Sequence, residues 1–392
     1  MDMNVDFDVL HRREGTACSK WDGRKEVFGT EDVLPLWIAD MDFAAPEVVV
    51  DAIKAQAERR IFGYPLRARG VHQAFAAWML QRHGWTMDPD WVLEVPGVVP
   101  LLALAVQTFT APGDEVVIQP PVYPPFRNVV ARQGRTVVEN PLRWDGKRSV
   151  MDLEDLERRI TPATRMLILS SPHNPVGRVW ERSELEALAA VCLRHNILVL
   201  SDEIHQDLLF SPHRHIPFAS LGTDVARSTL IATAPGKTFN IPGLRSGMAV
   251  IPDATLRHRM QATLEALDLE MWNLCGIAAT EAAYRSGAPW LDALMSYLDG
   301  NRHFLREELS RRAPEVGYTL PEGSYLAWLD FRPLFADADD LRSFLVQKAR
   351  LGLNDGRTFG AAGAGFARLN FACPRATLTE AMDRLGNALT SR

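Results

Sequence analysis

The chain has 392 residues, a hydrophobic share of 47%, a charged share of 23% and a formal net charge of −6. This length allows one large domain plus a smaller one, or two domains of similar size, and the composition is that of an ordinary globular protein. The acidic balance, with a pI near 6.0, argues against a protein that binds nucleic acid through a basic surface.

Cysteine content and hydropathy bear on where the protein works. The four cysteines, at positions 18, 192, 275 and 373, are too far apart for a metal-binding pair and too few for a disulfide framework. The acidic amino terminus lacks the basic and then apolar pattern of an export signal. The most apolar run, residues 95–106, is shorter than the roughly 20 residues that cross a bilayer. We therefore expect a cytoplasmic protein without a membrane span.

Short apolar runs alternate with helix-like segments through the middle of the chain. The predicted strands are residues 115–118, 166–169, 197–200 and 230–232. A crossover helix is predicted over residues 182–194, with Ser183 as its N-cap and Glu186 three residues later. Its apolar stripe consists of Leu185, Leu188, Ala189 and Cys192. This alternation predicts an α/β domain with a largely parallel sheet.

The order of elements changes after residue 289. The predicted elements there are an amphipathic helix over residues 291–312, a strand over 325–331, a helix over 340–350, a strand over 367–371 and a final helix. This order predicts a smaller α+β domain. We therefore expect an N-terminal segment, residues 1–45, that packs with the small domain, a large domain over residues 46–288 and a small domain over residues 289–392.

Three of the predicted strands end in reactive polar residues. Asn174 lies in the loop after the strand at 166–169, Asp202 follows the strand at 197–200, and Lys237 follows the strand at 230–232. Because ligands collect at the carboxyl ends of strands in open α/β sheets, we expect these three side chains to face one crevice.

An amine, a carboxylate and an amide are the groups that pyridoxal 5′-phosphate (PLP) requires. A lysine forms its Schiff base, a carboxylate keeps its pyridine nitrogen protonated, and donors bind its ring oxygen and phosphate. Lys237, Asp202 and Asn174 match these functions. Arg245 can offer its guanidinium to the phosphate, and the loop at residues 96–100 can offer backbone N–H groups at the start of a helix.

The ordered set of motifs resembles the fold type I PLP enzymes of the class I/II aminotransferase group. Within that group it is most similar to the MalY/PatB branch of cystathionine β-lyases, also called C–S lyases. The resemblance extends over nearly the whole chain, from residues 34–43 to residues 366–371, and includes residues 177–180 and 201–205. It implies the aminotransferase fold, with a mostly parallel, seven-stranded-type sheet in the large domain and a smaller α+β domain.

The resemblance also implies functions for cofactor-binding residues. Tyr123 would stack on the pyridine ring and act in catalysis with Lys237. The backbone amides of Val98 and Val99 would bind the phosphate. His205 would contact the ring oxygen together with Asn174.

Substrate and interface residues are implied in the same way. Arg368 would bind the α-carboxylate of an amino-acid substrate, with Asn174 beside it. For Trp37 and Asp40 two functions stay open, a contact with the substrate or packing at the subunit interface. Tyr64 would reach across the interface of a homodimer to the phosphate of the neighbouring subunit.

The turn before the lysine departs from the family pattern. Ala234 and Gly236 stand where phosphate-binding serines are common. Either Thr233 or a backbone amide compensates for them, or the phosphate is bound less tightly.

Each candidate residue also has an ordinary structural explanation. A single lysine after a strand is commonly a solvated loop charge, Asp202 could be a helix N-cap, and Asn174 could be a turn residue before proline. Tyr123 could pack in its loop, Arg368 could pair with a surface carboxylate, and His205 could be a structural group. The combination favours the cofactor site. No metal site is predicted, because no carboxylate or cysteine shares the spacing of His213 and His215.

The predicted reaction is α,β-elimination of L-cystathionine or a related cysteine S-conjugate to a thiol, pyruvate and ammonia. A class I/II aminotransferase is the alternative, because the same motifs serve both reactions. A PLP-fold binding or regulatory protein with little turnover is a further alternative. The presence of Lys237, Asp202 and Arg368 together argues against it.

Overall fold

A seven-stranded sheet forms the centre of the larger part of the protein in the computed structural model, which describes residues 5–391. Its strands are β1 (Val92–Val95), β2 (Glu115–Ile118), β3 (Thr136–Glu139), β4 (Thr164–Ser170), β5 (Leu198–Asp202), β6 (Thr229–Thr233) and β7 (Gly247–Val250). The spatial order is β1-β7-β6-β5-β4-β2-β3. Strand β7 is antiparallel to both of its neighbours, and the other pairs are parallel. The mostly parallel sheet of the prediction is confirmed.

Helices cover this sheet, whose strands are mostly apolar and buried, as expected for a sheet packed on both faces, except for the edge strand β3. The helices of the described chain are α1 (Ser19–Asp22), α2 (Arg24–Phe28), α3 (Glu47–Glu58), α4 (Arg69–His83), α5 (Val98–Phe109), α6 (Pro125–Ala131), α7 (Leu153–Arg159), α8 (Arg182–Arg194), α9 (Thr223–Arg227), α10 (Pro235–Thr238), α11 (Ala254–Ala266), α12 (Leu274–Ser286), α13 (Ala288–Arg312), α14 (Ala338–Ser343) and α15 (Arg375–Thr390). Within residues 5–391, none of them is long and apolar enough to cross a membrane.

Helix α8 has the predicted bounds and the predicted buried stripe, but a different N-cap. Its N-cap is Glu181, whose backbone N–H donates to Glu184 Oε2 at 2.8 Å. The prediction of Ser183 as the cap was therefore wrong. The physical reason is that Arg178 also bonds Glu184 Oε2, at 2.7 Å, and holds this side chain at the helix start.

A second, antiparallel sheet is built by the C-terminal part of the chain. Its strands are β8 (Gly317–Tyr318), β9 (Leu326–Asp330), β10 (Asn354–Asp355) and β11 (Phe366–Asn370), in the order β8-β9-β11-β10. The helix predicted over residues 340–350 is divided: α14 ends at Ser343, and a π-helical segment, Phe344–Lys348, follows. A small hairpin of Arg143–Trp144 and Ser149–Val150 lies elsewhere in the chain.

The N-terminal segment contacts this C-terminal part directly. Leu34–Pro35 pairs in parallel with Leu351–Gly352. Asn370 N donates to Leu36 O at 2.9 Å, and Asp42 N donates to Ala372 O at 2.9 Å. These bonds bring residues near position 40 to the edge of the second sheet. The division of the chain at residues 45/46 and 288/289 stays a prediction.

Candidate active site

Lys237 and Asp202 lie at the carboxyl ends of neighbouring strands. Asp202 is the last residue of β5 and pairs in register with Ala232 of β6, and Lys237 lies in α10, just after β6. Ile204 N donates to Asp202 Oδ1 at 3.1 Å. No side chain within the described 387 positions from 5 to 391 donates a hydrogen bond to this buried carboxylate. The acid is thus left open to a cationic partner.

Both groups have pKa values moved towards neutrality. Burial raises the pKa of Asp202 to about 7, with a further contribution from the neighbouring Glu203 charge. Burial lowers the pKa of Lys237 to about 8, and the positive charge of Arg368 acts in the same direction. An acid and an amine that titrate near neutral pH in one crevice are typical of a catalytic site.

The Lys237 amine is held by the N-terminal segment. Its Nζ donates a hydrogen bond to Ala39 O, and the buried Tyr325 hydroxyl donates to the same oxygen at 2.9 Å. Tyr325 directly precedes β9, so residues from three separate regions meet at this carbonyl. The free amine therefore has a defined position in the crevice.

Arg368 is a buried cation with one nitrogen unused. Its Nη1 donates to Asn174 Oδ1 at 2.9 Å, and its Nη2 donates to Trp37 O at 2.9 Å and Asn354 Oδ1 at 2.7 Å. Its Cζ lies 4.9 Å from the ring centroid of Phe359. Nε is buried and has no partner among the described residues. Burial lowers the pKa of Arg368 to about 10, so it remains cationic at neutral pH and can bind an anion.

His205 is a buried, neutral group of the same crevice. Its Nδ1 lies 3.1 Å from Ser324 Oγ, and its ring meets the edge of the Tyr325 ring at 6.0 Å. Burial lowers its pKa well below the ordinary value, and the charges of Lys237 and Arg368 act in the same direction. A neutral imidazole can accept or donate a hydrogen bond here without adding charge.

Tyr123 also faces these charged groups. It lies between β2 and α6, and burial raises the pKa of its phenol, with opposing contributions from Arg368 and Asp202. Its ring meets the edge of the Phe126 ring at 6.3 Å. The influence of both charges places Tyr123 beside the crevice, with its hydroxyl protonated at neutral pH.

Two backbone amides at the start of α5 are open to an anion. Gly97 caps the helix with a φ of +148°, and Val98 and Val99 are its first two residues. An α-helix supplies no acceptor to the amides of its first turn, and Pro100 has no N–H at all. Val98 and Val99 can therefore bind a phosphate in the positive field of the helix N-terminus.

The segment that carries Arg245 meets this helix start through the sheet. Gly247 of β7 pairs with Val95 of β1, and a Cβ at Gly247 would lie 2.6 Å from Gly97 Cα. Only glycine allows this approach. Arg245, two residues earlier, has a φ of +53°, and its exposed side chain makes no hydrogen bond within residues 5–391. Two segments that the sequence separates by about 150 positions thus meet beside the predicted phosphate site.

The unusual turn before Lys237 has a steric explanation. A Cβ at Gly236 would lie 3.1 Å from Pro242 Cα, which is tight for any side chain and leaves little room for a serine. Thr233, at the end of β6, has a buried hydroxyl without a partner among the described residues. That hydroxyl is one group that could compensate for the missing serines.

The functions predicted for Trp37, Asp40 and Tyr64 stay predictions. The Trp37 indole donates to Lys20 O at 3.1 Å, so its side chain packs within the N-terminal segment. Asp40 Oδ2 accepts from Arg13 at 2.6 Å, and its Oδ1 lies 3.6 Å from Lys20 Nζ. Tyr64 is 94% exposed.

Several residues of the crevice were missed by sequence reasoning. They are the Ala39 carbonyl, Ser324, Tyr325 and Asn354. Tyr325 lay in a predicted strand and Ala39 in a motif, but neither pattern indicates a contact with Lys237. Asn354 has no sequence signal, because only the pairing of β10 with β11 brings it opposite Arg368.

Known proteins resemble this chain over its whole length. The family model for aminotransferase class I and II matches residues 31–385. The cystathionine beta-lyase PatB of Bacillus subtilis (strain 168) is 42% identical over 98% of this chain and 100% of its own length. Protein MalY of Escherichia coli (strain K12) is 34% identical over 98% of each chain. The structure of cystalysin from Treponema denticola, which contains PLP, matches with a TM-score of 0.96 and 33% identity over 99% of this chain and 100% of its own.

The high TM-score shows that this chain has the same fold as the matched structure. The chain belongs to the aminotransferase class I and II family.

Proposed function

We propose that this protein is a PLP-dependent carbon–sulfur β-lyase that removes a thiol from L-cystathionine or a related cysteine S-conjugate. The observation that carries the proposal is the meeting of an amine and an acid with near-neutral pKa values beside a buried arginine with a free N–H. The similarity to PatB, which is named a cystathionine beta-lyase, supports the choice of reaction within the family.

The residues present fit PLP. The buried Asp202 carboxylate, with no side-chain donor of its own, would hold the pyridine nitrogen, and Lys237 would form the covalent link. The groups proposed to bind the rest of the cofactor are Tyr123 at the ring, Asn174 and His205 at the ring oxygen, and Val98, Val99 and Arg245 at the phosphate. When bound, PLP supplies an electron sink that stabilises negative charge at the α-carbon of an amino acid.

The protein's own groups bind and orient the substrate. Arg368 combines a buried positive charge with an unused N–H, so we assign it to the α-carboxylate. Asn174, Trp37 O and Asn354 hold three of its hydrogen bonds and fix the plane of the guanidinium. This orientation presents the α-carbon to Lys237 in a single geometry.

Proton transfer is then carried out by Lys237. Its pKa of about 8 makes a far larger fraction of the amine unprotonated near neutral pH than in an ordinary lysine, so it can take the α-proton as a general base. The carbon–sulfur bond breaks with its electron pair on sulfur, and the thiolate leaves. Addition of one water to the remaining three-carbon fragment yields pyruvate and ammonia.

Amino transfer to a 2-oxo acid is the second candidate, because the matching family model is named for aminotransferases. In that reaction Lys237 would return the proton to a carbon other than the α-carbon, and the carbon–sulfur bond would stay intact. The two reactions differ in whether they require an oxo acid.

Product analysis tests the proposal. Purified holoenzyme is incubated with L-cystathionine, and thiol and pyruvate are measured with and without an added 2-oxo acid, beside Lys237→Ala as the inactive control. We expect equimolar thiol and pyruvate without an oxo acid. Oxo acid-dependent turnover without pyruvate would favour the transaminase. Absence of turnover and of a PLP-dependent visible absorbance band would favour a binding protein.

We also propose a homodimer in which Tyr64 contributes to the site of the neighbouring subunit. The loop around Tyr64 exposes large apolar side chains, with Ile61 77% and Leu66 90% exposed. Apolar side chains clustered on one loop are typical of a surface that another chain covers. Light scattering of the purified protein should give a mass near twice 43.8 kDa.

A cytoplasmic location is the last part of the proposal. All four cysteines are free thiols, as expected in a reducing compartment. Cell fractionation with an antibody to the protein tests it, and recovery in an exported fraction would contradict it.

A further inference from the structure

A buried cluster behind the crevice is not used by the proposed reaction. At its centre Asp207 accepts three hydrogen bonds from side chains. Trp78 Nε1 and His83 Nε2 lie 2.9 Å from its Oδ1, and Thr238 Oγ1 donates to its Oδ2 at 2.8 Å. Both oxygens of this carboxylate are therefore engaged by fixed partners.

This cluster connects α4 to the turn that carries Lys237. Trp78 and His83 belong to α4, and Thr238 is the residue after Lys237 in α10. Helix α10 has only four residues, and its N-cap, Ala234, makes no side-chain capping bond. So short a helix has little stability of its own. The Thr238–Asp207 bond is an anchor from outside the turn.

The acceptor in this anchor is charged. Burial would raise the pKa of Asp207, but hydrogen bonds from His83, Trp78 and Thr238 and the charge on His83 lower it below the ordinary value. Asp207 is therefore ionised at neutral pH. Hydrogen bonds to an ionised acceptor are roughly twice as strong as those between neutral groups.

A second histidine–carboxylate pair, His215 with Glu203, lies next to the pair of His83 with Asp207. The rings of His83 and His215 meet edge to face, with their centroids 5.4 Å apart. His215 Nε2 lies 2.8 Å from Glu203 Oε2, and Glu203 Oε1 accepts from Ser201 Oγ at 2.8 Å. Ser201 and Glu203 flank Asp202, so one block of buried groups holds the backbone on both sides of the acid and beside the lysine.

We propose that Thr238 and Asp207 are positioning residues that fix Lys237 relative to Asp202. The bond between them joins α10 to Asp207, which is bonded in turn to Trp78 and His83 of α4. The edge-to-face contact of His83 with His215 joins this anchor to the backbone around Asp202. Because PLP must meet both Lys237 and Asp202, loss of the anchor weakens PLP binding more than it weakens the fold. This inference rests on the proposed function, in which Lys237 carries PLP.

The test removes one hydroxyl and keeps the side-chain shape. Thr238→Val deletes the donor to Asp207, and Thr238→Ser keeps it. Thr229→Val is the matched control, because the buried Thr229 hydroxyl bonds Val225 O at 2.7 Å at the opposite end of β6. Apo-protein of each variant is titrated with PLP by visible absorbance, and the melting temperature is measured with and without PLP.

We expect Thr238→Val to bind PLP about 10-fold or more weakly than wild type and to lose most of the melting-temperature gain on PLP addition. Thr238→Ser should stay within about 3-fold of wild type. Thr229→Val should bind PLP like wild type even if it melts earlier. Equal PLP affinity in Thr238→Val and Thr229→Val would overturn the proposal.

Two further measurements keep the outcome decisive. If Thr238→Val does not fold, Asp207→Asn is titrated instead, because it replaces the charged acceptor by a neutral amide. Wild-type PLP affinity in that variant would overturn the proposal. A wild-type protein that forms no visible band with PLP contradicts the proposed function itself, whereas a normal wild-type band with an unaffected variant contradicts only the positioning inference.

Discussion

Arg368 Nη1 donates a hydrogen bond to Asn174 Oδ1 at 2.9 Å, so that β11 of the second sheet is joined to the loop after β4. The bond links the proposed carboxylate-binding residue to a proposed ligand of the cofactor ring. Substrate binding and cofactor orientation are thereby coupled through one buried pair.

Replacement of Arg368 by lysine should raise the KM for L-cystathionine. A lysine cannot reproduce the planar fork that meets Asn174, Trp37 O and Asn354 and still offer a further N–H. We expect KM to rise about 10-fold or more. Steady-state kinetics measure the change, with the exposed Arg332→Lys as control. An unchanged KM would remove Arg368 from the substrate site.

Replacement of Asp202 by asparagine should lower kcat. A neutral amide cannot hold a proton on the pyridine nitrogen by charge, so the electron-accepting power of the ring falls. We expect a loss of about 100-fold or more in kcat, as for other groups that stabilise developing charge. The comparison with Asp202→Glu, which keeps the acid, shows whether charge or shape is responsible. Wild-type kcat in the asparagine variant would refute the assignment.

The pH at which apo-protein combines with PLP should reflect the lowered pKa of Lys237. Only the unprotonated amine reacts, and its pKa is about 8 rather than the ordinary 10.5. The initial rate of appearance of the visible band should therefore rise with pH and reach half its maximum near pH 8. Arg368→Gln removes a positive charge that lowers this pKa, so its midpoint should move upward. A midpoint above pH 10 in wild type would contradict the expectation.

Mixing two inactive variants tests whether Tyr64 serves the neighbouring subunit. A dimer of Tyr64→Ala with Lys237→Ala contains one site in which both residues are intact. Random reassociation after mild dissociation should restore about one quarter of the wild-type sites, because half of the dimers are mixed and each has one intact site. Activity is measured before and after mixing. If Tyr64→Ala alone is fully active, the residue does not contribute to the site.

Gly177 should be more sensitive to substitution than an ordinary left-handed glycine. It has a φ of +71°, and a Cβ there would lie 2.5 Å from Pro321 Cβ. Gly177→Ala therefore combines backbone strain with a clash between the loop after β4 and the segment before β9. We expect a loss of about 2 kcal/mol or more in the free energy of unfolding.

Gly113→Ala is the control for that prediction, since Gly113 has a φ of +91° and open space around it. It should show the cost of backbone strain alone. Chemical denaturation of both variants measures the difference. Equal losses in the two proteins would show that the contact with Pro321 contributes nothing.

Much of the sheet could be predicted because buried parallel strands carry continuous apolar runs. The four predicted strands correspond to β2, β4, β5 and β6, with bounds that differ by up to two residues. The N-cap of α8 was mispredicted, because Arg178, which pairs with Glu184 at the helix start, is itself held by Glu322, 144 positions away in sequence. A local pattern of Ser183 and Glu186 carries no information about it.

The order of residue types alone determined the family resemblance and the meeting of Lys237, Asp202 and Asn174, because side chains after parallel strands share one edge of the sheet. Only the tertiary structure decided what holds those groups. The Ala39 carbonyl is 198 positions from Lys237 and 286 from Tyr325, and the Asp207 anchor of Thr238 involves α4. A backbone oxygen has no sequence signature, and contacts over such separations depend on how sheets and helices pack.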